Sequence, residues 1–462
     1  MDVLIVGAGP TGLTLGIDLA RRGVEALVVE RADGLFPGSR GKGIQPRTQE
    51  VFDDLGVRDA IRAAGGPYPE RMIWKDGERL GGQPMFDPVE ADAGTPYTDP
   101  LMVAQWRTQE VLYARLVELG GQVVLGREVT AVEQDAAGVT ARCADGTALR
   151  ARYLVAADGG RSAVRRAVGV GMSGRTVDPA PFLVADVRLR GLDRDHWHTF
   201  PKDDGSGVAL CPLAGTGDFQ LQARLAQDAE PHLTLDGIRE LIATYTHLTA
   251  KDVTEVRWAS DFRPRTGLAD RFRVDRVLLA GDAAHVHSPA GGQGLNTGVQ
   301  DAYNLGWKLG AVLRGGAPGT LLDTYEEERR ANAAAMLDLS TAVHRGEVRR
   351  GRATMQLGLG YRESSLTDET RTAPPALRAG DRAPDGTVGG VRLFDTFRGP
   401  HWTLLGATAP PAAPTLRTLP ATPASYAPGV YLIRPDGYIG WAGDTAEGLT
   451  QYATRTGAFM TA

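Results

Sequence analysis

The stretch with the most chemical content lies past the middle of the chain. It runs Gly281-Asp282-Ala283-Ala284-His285 and continues through Pro289, Gly291, Gly292, Gly294, Leu295 and Asn296. Before it, Val277, Leu278, Leu279 and Ala280 read as a buried strand, which needs no polar alternation when both faces of its sheet are covered. Asp282 sits just beyond the strand end. The glycines after Pro289 let the backbone approach a flat ligand closely and adopt dihedrals closed to other residues. Asn296 is a good N-cap type, and the helix it begins would aim free N–H groups and a partial positive charge at that ligand. The pattern suits a planar group that gains negative charge on reduction.

Two more stretches share this grammar. Gly7-Ala8-Gly9-Pro10-Thr11-Gly12 lies between an apolar strand (2–6) and a helix reaching about Arg22. The next strand (27–29) ends at Glu30, 18 positions after Gly12. Glycines so spaced make a tight turn, admit a pyrophosphate to the helix N-terminus and let helix and strand pack. Glu30 would accept hydrogen bonds from ribose hydroxyls and disfavours a 2′-phosphate, so FAD or NAD fits better than NADP. Further on, the strand 154–157 ends at Asp158-Gly159-Gly160-Arg161-Ser162, again an acid and a turn at a strand end. The loop Ser39-Arg40-Gly41-Lys42-Gly43 has the bases and glycines to touch phosphates or adenine, and equally the composition of a solvated loop.

Other residues invite chemistry and do not sustain it. His285 and His287 stand two apart without a carboxylate or cysteine set at ligand spacing, so no metal is expected. Cys143 and Cys211 are too few for a disulfide framework or a CxxC site. His198 and His287 are the candidates for a general base, and neither stands out.

The elements that must position these residues follow from hydrophobic period and turn residues. A helix is expected at 46–55, strands at 71–74 and 101–104, and a helix at 107–119. Strands follow at 122–125, 128–133 and 139–143, with Asp145-Gly146 as a hairpin turn. The region 182–262 differs: strands at 182–189, 196–200, 207–210, 219–223 and 255–262, with a helix at 235–245. An antiparallel sheet inserted between the Asp158 turn and the Asp282 strand is the economical reading. It would wall a substrate pocket, with Trp197, His198, Phe200 and Trp258 as lining residues. Helices are expected from Asn296 to Leu313 and from Leu321 to near Arg352, then a loose linker at 371–380. A last unit has strands at 391–393, 403–406, 430–433 and 438–441, a turn at Arg434-Pro435-Asp436-Gly437, and a helix from Ala446.

At 462 residues the chain should form two or three domains. A net charge of −5 offers no basic field for nucleic acid. The first twenty residues carry no basic n-region and are broken by glycines, so they read as strand and helix rather than a leader. With two cysteines and no apolar run long enough to span a bilayer, a cytoplasmic protein away from membranes is expected.

Order and content together resemble the group A flavoprotein monooxygenases, the aromatic hydroxylases of the para-hydroxybenzoate hydroxylase fold. Gly7-x-Gly9-x-x-Gly12 resembles their dinucleotide fingerprint and Asp158-Gly159-x-x-Ser162-x-x-Arg165 their DG motif. The GD motif is matched by Arg276-Val277-x-Leu279-x-Gly281-Asp282-Ala283-Ala284-His285, with Pro289 and Gly294-Leu295-Asn296. Leu432-Ile433-Arg434-Pro435-Asp436-Gly437 and Trp441 resemble, more weakly, the thioredoxin-like domain of phenol-hydroxylase-type members, here without CxxC.

The resemblance implies an α/β chain in three parts. These are a Rossmann-like FAD-binding domain (1–68, 101–178 and 266–330) and an inserted antiparallel-sheet substrate domain (69–100 and 179–265). A helical linker (331–377) leads to a small thioredoxin-like α/β domain (378–462). It places FAD against Gly7, Gly9, Thr11, Gly12, Glu30, Arg31, Arg40, Gln105, Val129, Asp158, Arg165, Asp282, Gly294, Leu295 and Asn296. It also implies that NADPH or NADH reduces the flavin, that O₂ forms a C4a-hydroperoxide near Pro289 and Gly292, and that oxygen passes to an electron-rich ring. A polycyclic aromatic polyketide or related antibiotic is the implied substrate, and a monomer or homodimer the implied assembly. Baeyer–Villiger oxygenation or epoxidation with the same cofactor, and a catalytically silent FAD-binding module, are the competing readings. No Trp-x-Trp-x-Ile-Pro segment supports a halogenase.

Overall fold

The structure is a computed structural model that describes residues 1–407 and 413–459. At its centre is a six-stranded sheet in the order Arg273–Val274, Val277–Leu279, Tyr153–Ala156, Val3–Val6, Ala26–Val29, Gln122–Val124. Every neighbouring pair is parallel except the first. Val3–Val6, Tyr153–Ala156 and Val277–Leu279 are buried at every position, as strands covered on both faces must be. Parallel pairing brings the carboxyl ends of these three strands to one edge. Gly7, Asp158 and Asp282 therefore leave the sheet side by side, where open α/β sheets bind ligands.

Helices Pro10–Ala20 and Gly294–Leu313 pack against each other across this edge. Their close approach depends on small residues. A Cβ on Gly298 would lie 2.5 Å from Thr11 Oγ1, and one on Gly281 2.6 Å from the same atom. The second helix starts at Gly294 with Gln293 as its cap residue, so Asn296 lies inside its first turn and does not cap it. The expected helix from Leu321 to near Arg352 is also shorter than its pattern suggested. It spans Asp323–His344, and Gly346 at φ 74° halts it in the left-handed conformation open to glycine.

The second large sheet has seven strands in the order Val253–Phe262, Phe182–Leu189, Phe219–Arg224, Gly207–Pro212, His196–Pro201, Glu70–Lys75, Glu78–Gln83. All pairs are antiparallel except His196–Pro201 beside Glu70–Lys75. Alternation sorts its side chains. Ala185, Val187, Phe200, Leu210, Leu221 and Trp74 pack with Ile238 and Ile242 of helix Leu235–Tyr245. Asp186, Trp197, Cys211 and Gln220 belong to the opposite face, which turns toward the first sheet.

A third unit has strands Asp368–Glu369, Ile439–Gly443, Val430–Ile433, Trp402–Leu405 and Leu416–Leu419 in that order, with apolar clusters around Trp441 and around Tyr431. The parallel pair Trp402–Leu405 and Leu416–Leu419 is joined through residues 406–415, fewer than a crossover helix requires. This is a small α/β unit at the C-terminal end of the described residues. The expected turn at Arg434 to Gly437 forms, with Arg434 N donating to Tyr438 O at 2.8 Å, and its side chains plug into the first domain. Arg434 makes a two-pronged pair with Glu328 at 2.5 and 2.9 Å, while Asp436 accepts from Trp307 Nε1 at 3.0 Å and Asn304 Nδ2 at 3.1 Å. No helix among the described residues is long and apolar enough to cross a membrane.

Candidate active site

The three glycines of the first turn meet three different environments. A Cβ on Gly7, at φ 112°, would lie 2.3 Å from Ala157 O, and one on Gly12 only 2.0 Å from Gly7 O. A Cβ on Gly9 would meet nothing within 4 Å. The outer two thus serve the fold, and the middle one faces open space, as a pyrophosphate site needs. Glu30 closes the turn by accepting from Ala8 N at 2.9 Å and Ala32 N at 3.2 Å. Val129, on the adenine side implied by the resemblance, is buried and pairs with Cys143.

Charge converges on the same edge. Asp282 has exposed surface, yet enough protein surrounds it that burial pushes its carboxyl pKa up, with His285, Arg40 and Arg265 opposing. Burial likewise lowers the Arg40 guanidinium, with Asp282 opposing and Arg161 and Arg31 adding to the fall. Exposed area combined with dense surroundings is the mark of a cleft. Arg40 stacks 5.0 Å from the Phe36 ring and 5.7 Å from Trp258. Asp158 accepts from Ala163 N at 2.8 Å through one oxygen, and its other oxygen is buried without a hydrogen-bond partner.

At the far end of the cleft, Gln105 accepts from Gly41 N at 2.9 Å, and Leu295 lies against Gly41. Asn296 staples the loop to the helix: its Oδ1 accepts from Gln45 N at 2.8 Å, and its Nδ2 donates to the carbonyls of Gly43 and Gly292 at 2.8 and 2.9 Å. The first amides of the helix, from Gly294 to Asn296, have no carbonyl one turn back to bond. Pro289 and Gly292 are exposed at the rim, and Gln45 Oε1 beside them is a second buried atom without a partner. An open glycine, two orphaned oxygens, clustered arginines and a free helix start fit a dinucleotide with a flat ring.

Beneath this helix start lies a buried chain of ionisable groups. His285 Nε2 meets Asp301 Oδ2 at 2.5 Å, His287 Nε2 meets His285 Nδ1 at 3.0 Å, and Arg329 Nε donates to Asp301 Oδ1 at 2.8 Å. Burial, then His285, pushes the His287 pKa well below the ordinary range. His285 spends both nitrogens, on Asp301 and on His287, while His287 Nδ1 is buried without a hydrogen-bond partner. Arg165 is a brace too, donating to Ala283 O at 2.9 Å and Gly160 O at 3.2 Å, so it ties the Asp158 turn to the Asp282 turn.

The family model described as an FAD binding domain matches residues 1–340. The chain belongs to the group A flavin monooxygenases. A flavin-dependent monooxygenase of Mycobacteroides abscessus is 44% identical over 98% of this chain and 100% of its own. Among solved structures, an anhydrotetracycline hydroxylase from Streptomyces rimosus superposes with a TM-score of 0.80 at 32% identity, covering 100% of this chain and 99% of that one. A ternary complex of aklavinone-11 hydroxylase with FAD and aklavinone gives a TM-score of 0.82 at 28% identity, covering 100% and 98%.

On the substrate side, strand alternation divides the residues expected to line the monooxygenase pocket. Trp258 stands beside Arg40 in the cleft, while Trp197, on the same sheet face, is buried against Met102, Cys211, Tyr68 and Lys42. His198 and Phe200 point the other way and line no pocket. His198 is fully buried, with Nδ1 accepting from Trp74 Nε1 at 3.0 Å and Nε2 meeting Asp193 O at 2.9 Å. Both nitrogens are occupied, which corrects its candidacy as a base. Asp186 and Gln220, absent from the expected site, converge with Ser39 and Lys42 of the loop expected to touch phosphates or adenine. Lys42 Nζ donates to Gln220 Oε1, and Gln220 Nε2 donates to Ser39 O. Their signal was present. Asp186 interrupts an apolar strand, and Gln220 and Gln222 alternate with Phe219, Leu221 and Ala223.

Proposed function

We propose that this monooxygenase consumes NAD(P)H and O₂ to insert one oxygen atom into a polycyclic aromatic polyketide or a related antibiotic. The observation that carries the reading is the sheet face bearing Trp197, Trp258, Asp186 and Gln220, turned toward the cleft of the FAD-binding domain. Such a face offers flat apolar area with a few polar groups, the usual make-up of a site for a large aromatic ligand. The names of the relatives, which act on tetracycline precursors and aklavinone, support the same class.

Bound FAD would supply hydride acceptance and activation of O₂. The chain's own part is positional and electrostatic. Arg40, Asp282 and the Gly9 turn would hold the cofactor's phosphates and ribityl chain, with Glu30 on the adenosine ribose. The amides at Gly294, Leu295 and Asn296, with the helix dipole behind them, would favour negative charge on a bound flavin. The seven-stranded sheet would shield a bound flavin from water. The test is to record the visible spectrum of the purified protein, then follow NADH and NADPH oxidation with tetracyclic and anthracyclic phenols. Product analysis under labelled O₂ separates hydroxylation from Baeyer–Villiger oxygenation. Yellow protein whose NAD(P)H oxidation no aromatic compound stimulates would refute the substrate reading.

A further inference from the structure

Four buried polar atoms near Lys42 lack a well-formed hydrogen bond: Ser39 Oγ, both carboxylate oxygens of Asp186, and Trp197 Nε1, although Ser39 stands close enough to Asp186 to oppose the rise of its pKa. Interiors leave few such atoms, and a cluster of them marks a place that a ligand or ordered water completes. Lys42 is 6% exposed, its Nζ lies 4.0 Å from the Trp197 ring centroid, and its hydrogen bond goes to the neutral Gln220. Among the described residues it makes no ion pair, and Asp186 acts on its charge only at longer range. A buried ammonium without a counter-ion is costly, and an anionic ligand removes the cost.

The surrounding groups point the same way. Burial pushes Lys42 down to about 8, so it is mostly charged at neutral pH. Burial pushes the Cys211 thiol up to about 11, so it provides no anion. Arg350 adds a second positive charge nearby, and burial pushes the Tyr68 hydroxyl above its ordinary range. Burial pushes Asp186 up to about 6, so it remains mostly a carboxylate at pH 7 and accepts hydrogen bonds. Tyr68 and Trp197 stack with centroids 6.4 Å apart, forming an aromatic wall beside the ammonium. Gly41, next to Lys42, touches Leu295 and Gln105 of the flavin cleft, so this corner adjoins the cofactor.

We propose that Lys42 Nζ receives an ionised phenolic or enolic oxygen of the substrate, while Asp186 and Ser39 hydrogen-bond a neighbouring hydroxyl on the same ring system. This rests on the aromatic-substrate reading above. The hydroxyl proton leaves to water, Lys42 stays an ammonium, and the bound ring is the electron-rich anion that oxygen transfer requires. The substrate class is thereby narrowed to aromatics with an acidic hydroxyl beside a second hydroxyl.

The test uses the FAD-loaded protein and 1,8-dihydroxyanthraquinone, whose absorption moves to the red on ionisation. A cation at this range lowers the ionisation pH of a bound phenol by about one to three units. Wild type should therefore ionise the dye at least about one unit below its value in buffer. Lys42→Met and Lys42→Gln should abolish the shift, Lys42→Arg should keep it, and Asp186→Asn should weaken binding while keeping it. FAD retention by each variant reports folding, and the wild-type shift stands without any variant. Bound dye ionising at its buffer value, or a shift unchanged in both Lys42→Met and Lys42→Gln, overturns the role of Lys42 and leaves the aromatic site standing. No dye binding by wild type overturns both.

Discussion

The sharpest separation of fold from binding is expected at two glycines three positions apart. Gly9 has φ −73° and ψ 178°, which any residue adopts, and a Cβ there meets nothing within 4 Å. In the protein without FAD, Gly9→Ala should shift stability by less than about 1 kcal/mol, since reduced unfolded-state freedom offsets a slightly poorer cap. The same methyl occupies space that the pyrophosphate must enter. Loss of one or two charge-assisted hydrogen bonds, at about 1.5–3 kcal/mol each, weakens FAD by roughly 10²-fold. Gly12→Ala is the opposite case. Its Cβ would sit 2.0 Å from Gly7 O and 3.3 Å from Ile5 Cγ2, contacts with backbone and core that cannot relax cheaply.

Thermal melting of the FAD-free proteins, repeated with FAD at about a hundred times the wild-type Kd, reads both effects. Wild type gains about 2.7 kcal/mol from the ligand, and Gly9→Ala, with Kd raised to the FAD concentration, gains only about 0.4 kcal/mol. Gly12→Ala should melt below both before any FAD is added, by the equivalent of about 1–3 kcal/mol or more. A Gly9→Ala protein with the full FAD shift would show that no cofactor group approaches Gly9. One that melts as low as Gly12→Ala without FAD would show that the space beside Gly9 is not open.

Three further outcomes are expected. Asp282→Ala should greatly lower the flavin retained on purification, measured by absorbance ratio, and unchanged occupancy would remove Asp282 from the cofactor site. Glu328 is held well below the usual carboxylate range despite burial by Arg434 and Lys308, whereas burial outweighs the same pairing at Lys308 and lowers it to about 8. Glu328 is therefore the group both cations need. Glu328→Gln should cost about 3–5 kcal/mol, while Lys308→Met, which leaves the Glu328–Arg434 pair intact, should change stability by less than about 1 kcal/mol in urea melts. The Glu328 contribution is present above the unfolded carboxylate pKa and is lost as pH falls toward its depressed folded value, so wild type should lose its margin over Glu328→Gln below about pH 4. His198→Phe should lower stability by about 1–3 kcal/mol, because Trp74 Nε1 loses its buried acceptor, yet leave the product per folded enzyme unchanged.

The cofactor half of the site was legible because its requirements act locally. A turn at φ 112°, an acid at a strand end and a helix opened by glycines each leave their mark within a few residues. The substrate half depends on strand parity: Trp197 and His198 are neighbours on one strand and cannot share a face, so Trp197, His198 and Phe200 cannot all line one pocket. The run from Phe219 to Ala223 already shows which parity is apolar. What no period could reveal is the join: Lys42 comes from a loop and Gln220 from a strand 178 positions later, and only their meeting identifies either. Asn296 was misplaced for a related reason. Its type suits a helix cap, but its amide is engaged by Gln45, Gly43 and Gly292, and that tertiary demand outweighs local preference.

The helix Gly294–Leu313 explains why a C-terminal unit without redox cysteines belongs to this fold. Its first amides face the cofactor cleft, and its Asp301 takes hydrogen bonds from His285, Arg329 and Gly281 N. One turn further, Asn304, Trp307 and Lys308 meet Glu328 and Asp436, and Trp307 packs edge-on against Trp402 at 5.5 Å. One side of this helix is thus covered by the first domain and the other by the third. Buried charges such as Lys308 and Glu328 are tolerable only while Arg434 and Asp436 remain in place. The third unit therefore shields polar groups that position the helix, and through its N-terminus it bears on the charge presented to the flavin.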